Sequence, residues 1–342
     1  MSERVTIEDV AALARVSIKT VSRVINDEPN VSAATRDKVE KAIARLKFRP
    51  SRAAKSLASR KAFTISLLYD NPCAHYIANV QTGVLAECEK QGYDLIVHPR
   101  SSPGYELARE VISLYHQARF DGVILTPPLC DNATIVAALA DEGIPTTLIA
   151  PGTPAPVFSS VVTDDELASF EMTRHLLNLG HRRIAFISGH PAHLAVQQRT
   201  AGFVRAMREA GVVVADGMIA TGFNSFACGV EAGKKLLDFD SPPTAIFAAN
   251  DEMAAGVLTI AYERQLAVPD DLSLVGFDDI PLATQLWPML TTVGQPIKTM
   301  ASRATEMLLD IVSGNIGDES PRLEKIPSSL IHRQSTAIPR PS

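Results

Sequence analysis

The sequence is poor in cysteine and tryptophan, with four cysteines and one tryptophan among 342 residues. The cysteines, Cys73, Cys88, Cys130 and Cys228, form no CxxC pair, so neither a disulfide framework nor a cysteine-based zinc site is expected. No stretch approaches the roughly 18 apolar residues that span a bilayer, and the start, MSERVTIEDV, has no apolar signal segment. We therefore expect a cytoplasmic protein without a membrane partner.

Sequence motifs of several enzyme classes are also absent. No GxSxG, GxGxxG or GxxxxGK[ST] pattern occurs, so hydrolases with a nucleophile elbow, dinucleotide-binding enzymes and P-loop proteins have no positive support. His190 and His193 have an HxxH spacing, but no cysteine or carboxylate at a suitable spacing joins them. We therefore expect no metal, no cofactor and no enzymatic activity.

Charge is divided unevenly along the chain. Residues 1–61 contain 14 Lys or Arg and 7 Asp or Glu, whereas residues 62–342 contain 19 and 31. The total charge of −5 therefore combines a head of +7 with a remainder of −12. A basic head is typical of a segment that meets nucleic-acid phosphates, and length alone favours two or three domains.

Residues 5–26, VTIEDVAALARVSIKTVSRVIN, predict two short helices joined by a tight turn. Thr6 can cap the first helix with Asp9 at its third position, and Ser17 can cap the second. Two such helices, with Lys19 and Arg23 on the outer face of the second, are typical of a helix-turn-helix that reads the DNA major groove. A helical hairpin with a solvated charged face is the alternative at this point.

A third helix and a basic segment follow. Ser32 can cap a helix on which Val39, Ile43 and Leu46 share one face. Residues 51–61, SRAAKSLASRK, contain four basic side chains and Leu57 as their only large apolar residue. A charged flexible linker is one interpretation of this segment. The other is a helix that folds only on DNA, with Leu57 inserted as a wedge in the minor groove.

From residue 62 onward, short apolar runs alternate with helical patterns. This alternation predicts parallel, doubly wound α/β sheets, and the number of strands favours two lobes with a ligand between them. The predicted strands are residues 63–69, 94–98, 122–126, 145–150, 183–189, 245–250 and 272–277. The predicted helices include residues 78–91, 108–118, 135–142, 167–179, 198–210, 229–237, 253–264 and 298–313.

Taken together, these segments resemble the LacI/GalR family of bacterial transcription regulators over nearly the whole chain. The resemblance is carried, in the family order, by VTIEDVAALARVSIKTVSRVIN, NVSAATRDKVEKAIARLKFRPSRAAKSLAS, GHRRIAFISG, ANDEMAAGVL, VPDDLSLVGFDD and LTTVGQPI. It implies a multidomain protein with an all-α helix-turn-helix head, a hinge helix, and an α/β body of two doubly wound lobes, like a periplasmic binding protein. The implied bounds are 1–49 for the head, 50–61 for the hinge, 62–342 for the body, about 62–162 and 294–324 for its N-lobe, and about 163–293 and 325–342 for its C-lobe.

The resemblance implies a sequence-specific, DNA-binding transcriptional regulator, most simply a repressor, that acts as a homodimer on an approximately palindromic operator. A small molecule between the lobes, a sugar or glycoside, would control operator affinity. A regulator that responds to a purine co-repressor is the alternative. A solute-binding receptor would share the body but lack the basic head, and a sugar-modifying enzyme would need catalytic residues that the sequence does not show.

The resemblance also implies which residues contact DNA. Ile18, Lys19 and Arg23 stand at the base-reading positions of the second helix, where Arg and Lys can donate to guanine and Ile can touch a thymine methyl. Ala54 and Leu57 match hinge positions placed in the minor groove. Short polar side chains suit phosphates, although a helix cap is the alternative for each hydroxyl. These are Thr6, Ser17, Thr20, Ser22, Asn26, Ser32 and Thr35.

Eight residues are expected at the effector. Four polar residues stand in motifs that line the cleft in the family, and together they offer the donors and acceptors that a polyol needs: Arg199, Asn250, Asp278 and Gln295. Four aromatic residues are candidates to stack on a sugar ring, with core packing as the alternative: Tyr69, Tyr76, Phe223 and Trp287. Asp278 can also cap the element after its strand, and Asp164 fits a crossover between lobes.

Two departures from the family pattern occur near the expected cleft. Asn71 and Pro72 lie twelve residues before Gly83 rather than nine, which implies a short insertion at the mouth of the cleft. Ala150 stands where the family commonly has an acidic residue. The insertion leaves open whether Tyr76 is the stacking ring, and Ala150 argues against carrying the ligand of a known relative over to this chain.

Overall fold

The computed structural model describes residues 5–25, 31–48, 56, 61–71, 73–99, 104–117, 119–191, 193–315 and 320–340. The chain divides into two compact units, Met1–Phe63 and Thr64–Ser342. Each unit has hydrophobic cores of its own, so each is described separately. Among the helices in these ranges, none is both long enough and apolar enough to cross a membrane.

The first unit is a head of three helices, α1 (Ile7–Ala14), α2 (Ile18–Ile25) and α3 (Ala33–Leu46). One valine from each helix, Val10, Val21 and Val39, is fully buried, and these three side chains form the centre of a small core. The pair of helices predicted for residues 5–26 is therefore present, and the third helix packs on both.

Local hydrogen bonds define the ends of these helices. Thr6 and Asp9 form a capping box in which Asp9 Oδ2 accepts from Thr6 N at 2.8 Å and Asp9 N donates to Thr6 Oγ1 at 3.4 Å. Arg15 ends α1 in the left-handed region at φ 55°. Ser17 Oγ then accepts from Thr20 N at 3.1 Å, which starts α2. The turn between the helices thus follows from residues that are adjacent in sequence.

The first lobe of the second unit is a six-stranded parallel sheet. Its strands are β1 (Thr64–Tyr69), β2 (Asp94–Pro99), β3 (Gly122–Leu125), β4 (Thr146–Ile149), β5 (Ser159–Val162) and β11 (Leu323–Lys325). Across the sheet they run in the order β11-β5-β4-β3-β1-β2. The helices packed with this sheet are α4 (Ala74–Gln91), α5 (Gly104–His116), a 3₁₀ turn (Leu129–Asp131), α6 (Ala133–Asp141) and α12 (Ile297–Ser313).

The second lobe has the same architecture. Its strands are β6 (Ile184–Ser188), β7 (Ile219–Thr221), β8 (Ala245–Ala248), β9 (Ser273–Asp278), β10 (Thr291–Gly294) and β12 (Ser329–Ile331), in the order β12-β10-β9-β8-β6-β7. All pairs are parallel except β10 with β12. Its helices are α7 (Asp165–Asn178), α8 (Leu194–Glu209), α9 (Phe226–Leu237), α10 (Asp251–Glu263) and α11 (Leu282–Gln285).

The chain passes between the two lobes three times, after β5, after β10 and after β11. Residues that follow strands of both sheets line one cavity between the lobes, as expected where parallel strands end at a cleft. The predicted fold class, a helical head with a two-lobed α/β body, is therefore confirmed.

Element bounds differ from the prediction in a regular way. The helices begin up to four residues earlier than their apolar patterns indicate, as for α4 at Ala74 and α8 at Leu194. The residues before these two helices, Cys73 and His193, make no side-chain capping hydrogen bond, so no cap marks the start in the sequence. Five strands of three or four residues, β5, β7, β10, β11 and β12, were not predicted, because so short a run shows no clear alternation.

Candidate DNA-binding head and effector cavity

The outer face of α2 carries the residues predicted to read bases. Ile18 is 46% exposed although it is apolar, and Lys19 is also exposed. Val21 and Val24 point into the core, which fixes the opposite face outward. Ser22 and Arg23 are half-buried on the same helix. An exposed isoleucine between a cap and a lysine leaves a small apolar and basic surface suited to a DNA groove.

The predicted phosphate-binding hydroxyls are already used within the head. Thr6 and Ser17 cap their helices as described above, and Ser32 Oγ accepts from Thr35 N at 3.3 Å at the start of α3. Thr20 Oγ1 lies 2.9 Å from Ser17 Oγ. These bonds support the capping alternative without removing the hydroxyls from the surface. Asn26, Ala54 and Leu57 lie outside the described residues.

The body contains a cavity of about 40 Å³ between its two lobes. Five of the eight residues predicted at the effector line it: Tyr76, Arg199, Asn250, Asp278 and Gln295. It is closed further by Asn71, Cys73, Pro127, Ala150, His193, Ala195, Val196 and Asn224.

Arg199 is the buried cation of this cavity. Its Nε donates to Asp165 Oδ1 at 2.6 Å, its Nη1 donates to the carbonyl oxygen of Ala249 at 2.6 Å, and its guanidinium lies 3.7 Å from the Phe277 ring centre. Burial by itself lowers the pKa of Arg199, but Asp165 and Asp278 outweigh it, and the pKa is raised. The guanidinium therefore stays charged and is held in one orientation by Asp165.

Asp278 is the buried anion opposite Arg199. Its Oδ1 lies 3.5 Å from Arg199 Nη1, which is an ion-pair distance but too long for a hydrogen bond of good geometry. Among the described residues, none donates a hydrogen bond to this buried oxygen. Burial raises the pKa of Asp278 to about 7, with Arg199 lowering it and Asp165 and Glu252 raising it further. Asp278 also has a backbone φ of 103°, which few non-glycine residues adopt.

Asn250 and Gln295 are held by bonds within the protein. Asn250 Oδ1 accepts from Met253 N at 2.9 Å and so caps α10, while its Nδ2 donates to the carbonyl oxygen of Asn224 at 3.0 Å. Gln295 Nε2 donates to Asp165 Oδ1 at 3.2 Å. Each amide is thus oriented in advance and can offer its second lone pair or second N–H to the cavity.

The predicted aromatic residues separate into two groups. Tyr76 lines the cavity, and burial raises the pKa of its hydroxyl. Tyr69 ends β1 and is half-buried, Phe223 is 48% exposed and packs edge-on against His190, and Trp287 is 83% exposed. None of these three lines the cavity in this arrangement of the lobes.

Several lining residues were not among the eight that the sequence predicted at the effector. His193 is buried, and burial together with His190 and Arg199 lowers its pKa to about 4, so the ring is neutral near pH 7. Asn224 Nδ2 lies 3.5 Å from His193 Nδ1. Asn71 and Asn224 each follow a strand, and this position at the carboxyl edge of a sheet was the available signal. His193 carried no such signal, since it precedes a helix.

Asp164 and Asp165 have different roles. Asp164 caps α7 by accepting from Leu167 N at 2.9 Å, and its other oxygen pairs with Lys325. The carboxylate that contacts Arg199 and Gln295 belongs to Asp165 instead. Within the ranges that the structure defines, no group of three or more His, Cys, Asp or Glu side chains is placed to hold a metal ion.

The chain is similar to known bacterial regulators along almost its entire length. Residues 6–51 match the family described as bacterial regulatory proteins, lacI family, and residues 173–336 match the periplasmic binding protein-like domain. Catabolite control protein A of Priestia megaterium is 35% identical over 97% of this chain and 99% of that protein. The HTH-type transcriptional repressor PurR of Vibrio atlanticus is 33% identical over 96% of this chain and 98% of that protein.

Solved structures give the same result. A lac repressor dimer bound to operator and the anti-inducer ONPF has a TM-score of 0.80 and 28% identity, covering 98% of this chain and all of that chain. A complex of the transcriptional regulator CelR with cellobiose has a TM-score of 0.72 and 29% identity, covering 97% of this chain. With its helix-turn-helix head and two-lobed body, the chain belongs to the lacI family of bacterial regulatory proteins and is a DNA-binding transcription regulator.

Proposed function

We propose that this regulator is a repressor whose operator affinity is controlled by a sugar or glycoside bound between its lobes. The observation that carries the ligand part is Asp278 Oδ1, a buried carboxylate oxygen that lacks a hydrogen-bond donor among the described residues. Leaving such an atom unsatisfied costs about 1–3 kcal/mol, so a ligand hydroxyl that donates to it would gain free energy. Arg199, Asn250 and Gln295 would supply further donors and acceptors around the same polyol.

On the operator, the proposed base contacts are those of Ile18, Lys19 and Arg23. The exposure of Ile18 supports this assignment, because an exposed side chain on this face can reach a thymine methyl group in the major groove. Phosphate contacts are proposed for the cap residues of the head and for Thr20, Ser22 and Asn26, and they would set the register rather than the sequence that is read.

The proposed assembly is a homodimer in which two heads read the halves of an approximately palindromic operator. We propose residues 1–49 as the head, 50–61 as a hinge helix and 62–342 as the body. The lac repressor dimer bound to operator supports this arrangement by similarity. Ligand and operator would then alter each other's affinity by the same factor.

The hinge proposal predicts a specific effect of Leu57→Ala. Losing the apolar wedge should weaken operator binding about tenfold or more, equivalent to ~1.4 kcal/mol, because the minor groove is no longer held open. Leu57→Met keeps a large apolar side chain and should bind almost as well as the wild type. Fluorescence titration of a labelled operator, with a bend measurement by energy transfer, compares the three proteins. Equal affinity and equal bend for Leu57→Ala would contradict the wedge.

The ligand class is tested by a thermal-shift screen of sugars, glycosides and purines on the full chain, followed by operator titration with each hit. We expect a sugar or glycoside to raise the melting temperature and to change operator affinity. Asp278→Asn should lose both responses. Relatives named PurR make a purine the competing ligand. A response to a purine, with none to any sugar, would replace the carbohydrate proposal.

A further inference from the structure

The backbone turns sharply at the carboxyl end of β9, where the Asp278 side chain enters the cavity. Asp278 and Asp279 have backbone φ angles of 103° and 54°, so two consecutive residues with side chains lie in the left-handed region. Such conformations are costly for residues other than glycine, and they persist only where neighbouring groups hold them. We call residues 278–280 the Asp278 corner. The groups that hold this corner therefore determine where the Asp278 carboxylate points.

Asp251 holds the end of the corner through the backbone. It is fully buried at the start of α10, and its Oδ2 accepts from Ile280 N at 2.9 Å. Its Oδ1 accepts from Thr292 Oγ1, on the neighbouring strand β10, at 2.6 Å. A Cβ added to Gly276 would lie 2.2 Å from Asp251 Oδ1, so the missing side chain on β9 makes room for this carboxylate. Ile280 is thus fixed, but Asp251 makes no bond to the two left-handed residues before it.

Arg333 holds the middle of the corner through a side chain. It follows β12, and its Nη2 donates to Asp279 Oδ1 at 2.7 Å. Its Nη1 donates to the carbonyl oxygen of Leu290 at 2.8 Å, and its backbone N donates to Thr291 Oγ1 at 2.9 Å. The side chains of Arg333 and Asp279 are only 15% and 26% exposed, so water screens their ion pair incompletely. Arg333 is therefore fixed to the start of β10 while it holds Asp279.

We propose that Arg333 is a positioning residue of the effector cavity, although it does not line the cavity itself. By holding Asp279 against β10, it keeps the backbone at Asp278 in the left-handed conformation and the Asp278 carboxylate inside the cavity. Without Arg333, the corner would relax toward ordinary φ angles and the carboxylate would move toward water. The proposal rests on the proposed function only in taking this carboxylate as a group that the ligand contacts.

The titration of Asp278 measures its position without any ligand or operator. Burial raises the pKa of Asp278 to about 7, so a carboxyl that moves toward water should titrate at a lower pH. The full chain is labelled with aspartate that carries ¹³C at the side-chain carboxyl, and the resonance of Asp278 is identified by its absence from Asp278→Asn. Its chemical shift is then followed as a function of pH. Failure to find an effector would not affect this measurement.

The direct effect of losing the Arg333 charge has the opposite sign to the expected effect. Removal of a nearby cation by itself raises the pKa of a carboxyl, so a lower pKa of Asp278 in Arg333→Ala must come from a change of position. The other charged or titratable groups that face Asp278 remain in every variant. These are Arg199, Asp165, Asp251, Glu252, Cys73 and Tyr76.

The variants are Arg333→Ala, which removes the contact, and Arg333→Lys, which keeps a cation beside Asp279. The matched control is Arg340→Ala. Arg340 lies on the same C-terminal segment and pairs with Asp271, which precedes β9 at its other end. Asp131, a carboxyl of the first lobe whose pKa burial also raises, is followed in the same spectra as an internal control for folding.

We expect the titration midpoint of Asp278 to fall by about one pH unit or more in Arg333→Ala and by less in Arg333→Lys, with Arg340→Ala at the wild-type value. The midpoint of Asp131 should be the same in all four proteins. An unchanged or higher midpoint of Asp278 in Arg333→Ala would overturn the proposal. An equal fall in Arg340→Ala, or a shift of Asp131 together with Asp278, would also overturn it, because the cause would then be a general loosening of the fold.

Discussion

At the scale of single residues, the cavity is organised by one cation and two carboxylates that are all buried. Asp165 is hydrogen-bonded to Arg199 and Gln295, whereas Asp278 has only the ion-pair distance of 3.5 Å to Arg199. Burial is the main cause of the raised pKa of Asp278; Arg199 lowers this pKa, and the negative charges of Asp165 and Glu252 raise it further. Asp278 therefore destabilises the fold when it is ionised, and it is also the carboxylate best placed to accept a hydrogen bond from a ligand.

This balance predicts that Asp278→Asn stabilises the protein at high pH. A buried carboxyl whose pKa is raised from 3.8 to about 7 contributes stability below pH 4 and loses it as the pH rises through 7. The amide does not titrate and tolerates the left-handed backbone, so the free energy of unfolding at pH 8 should rise on the order of 1 kcal/mol. Arg199 would keep Asp165 as its partner.

Denaturant unfolding of the wild type and Asp278→Asn at pH 8 and pH 4 tests this prediction. The gain should appear at pH 8 and be absent at pH 4, because the wild-type carboxyl is then protonated. Asp141→Asn, at an exposed end of α6, is the matched control and should change little at either pH. A loss of stability at pH 8 would mean that the ion pair with Arg199 outweighs the burial of Asp278.

At the scale of elements, helix caps are what local sequence predicts best. Thr6, Ser17 and Ser32 each cap the helix that their position indicates. A cap is made within three residues, so no distant neighbour is needed to form it. The early starts of α4 and α8 were missed for the opposite reason, since their caps, Cys73 and His193, make no side-chain hydrogen bond to the helix.

Variants of Ser17 can distinguish two roles of this residue, which are the N-cap of α2 and a contact with a DNA phosphate. Ser17→Ala should destabilise the head by about 0.5–2 kcal/mol, because Thr20 N loses its acceptor, and it should also weaken operator binding. Ser17→Asn restores a good cap but not the hydroxyl. Thermal unfolding and operator titration of both variants distinguish the roles: a melting temperature that recovers in Ser17→Asn while operator affinity stays low would assign a phosphate contact to the hydroxyl, and full recovery of both would show that the hydroxyl itself is not required.

At the scale of the whole molecule, one buried and one half-buried histidine make stability depend on pH. Burial, with His332 and His181 nearby, lowers the pKa of the half-buried His175 to about 4, and burial with His190 and Arg199 does the same for the buried His193. The unfolded chain binds these protons near pH 6.5, so stability is lost as the pH falls from 6.5 to 4, by up to about 1.4 kcal/mol per pH unit for His193 and by less for His175, where solvent screens the charge. Asp278 has the opposite effect, because its raised pKa makes it contribute more stability as the pH falls from about 7 to 4.

Because these effects oppose each other, the histidine contribution is measured as a difference between variants. The free energy of unfolding of His193→Gln should fall less steeply than that of the wild type between pH 6.5 and 4. His116→Gln, at an exposed ring that pairs with Glu142, is the control and should follow the wild type. If the free energies of unfolding of His193→Gln and the wild type fell equally with pH, protonation of His193 would not destabilise the fold.

The sequence by itself determined the features that depend on near neighbours. These are the capped helix pair of the head, the division between a basic head and an acidic remainder, and the alternation that gives two α/β lobes. An apolar period, a cap residue and a local charge each depend on residues that are only a few positions apart. The sequence alone therefore predicts them. Family resemblance supplied Arg199, Asn250, Asp278 and Gln295, and the structure brings these four together in one cavity.

Only the tertiary structure decided which distant groups meet. Packing within the second lobe places Asp165 rather than Asp164 on Arg199, His193 and Asn224 line the cavity, and Trp287 is exposed. Between the lobes, Asp131 lies against Leu194, and Gly152 touches α8. Such contacts join residues tens of positions apart, and their burial and pKa shifts depend on that packing. No local pattern in the sequence carries this information.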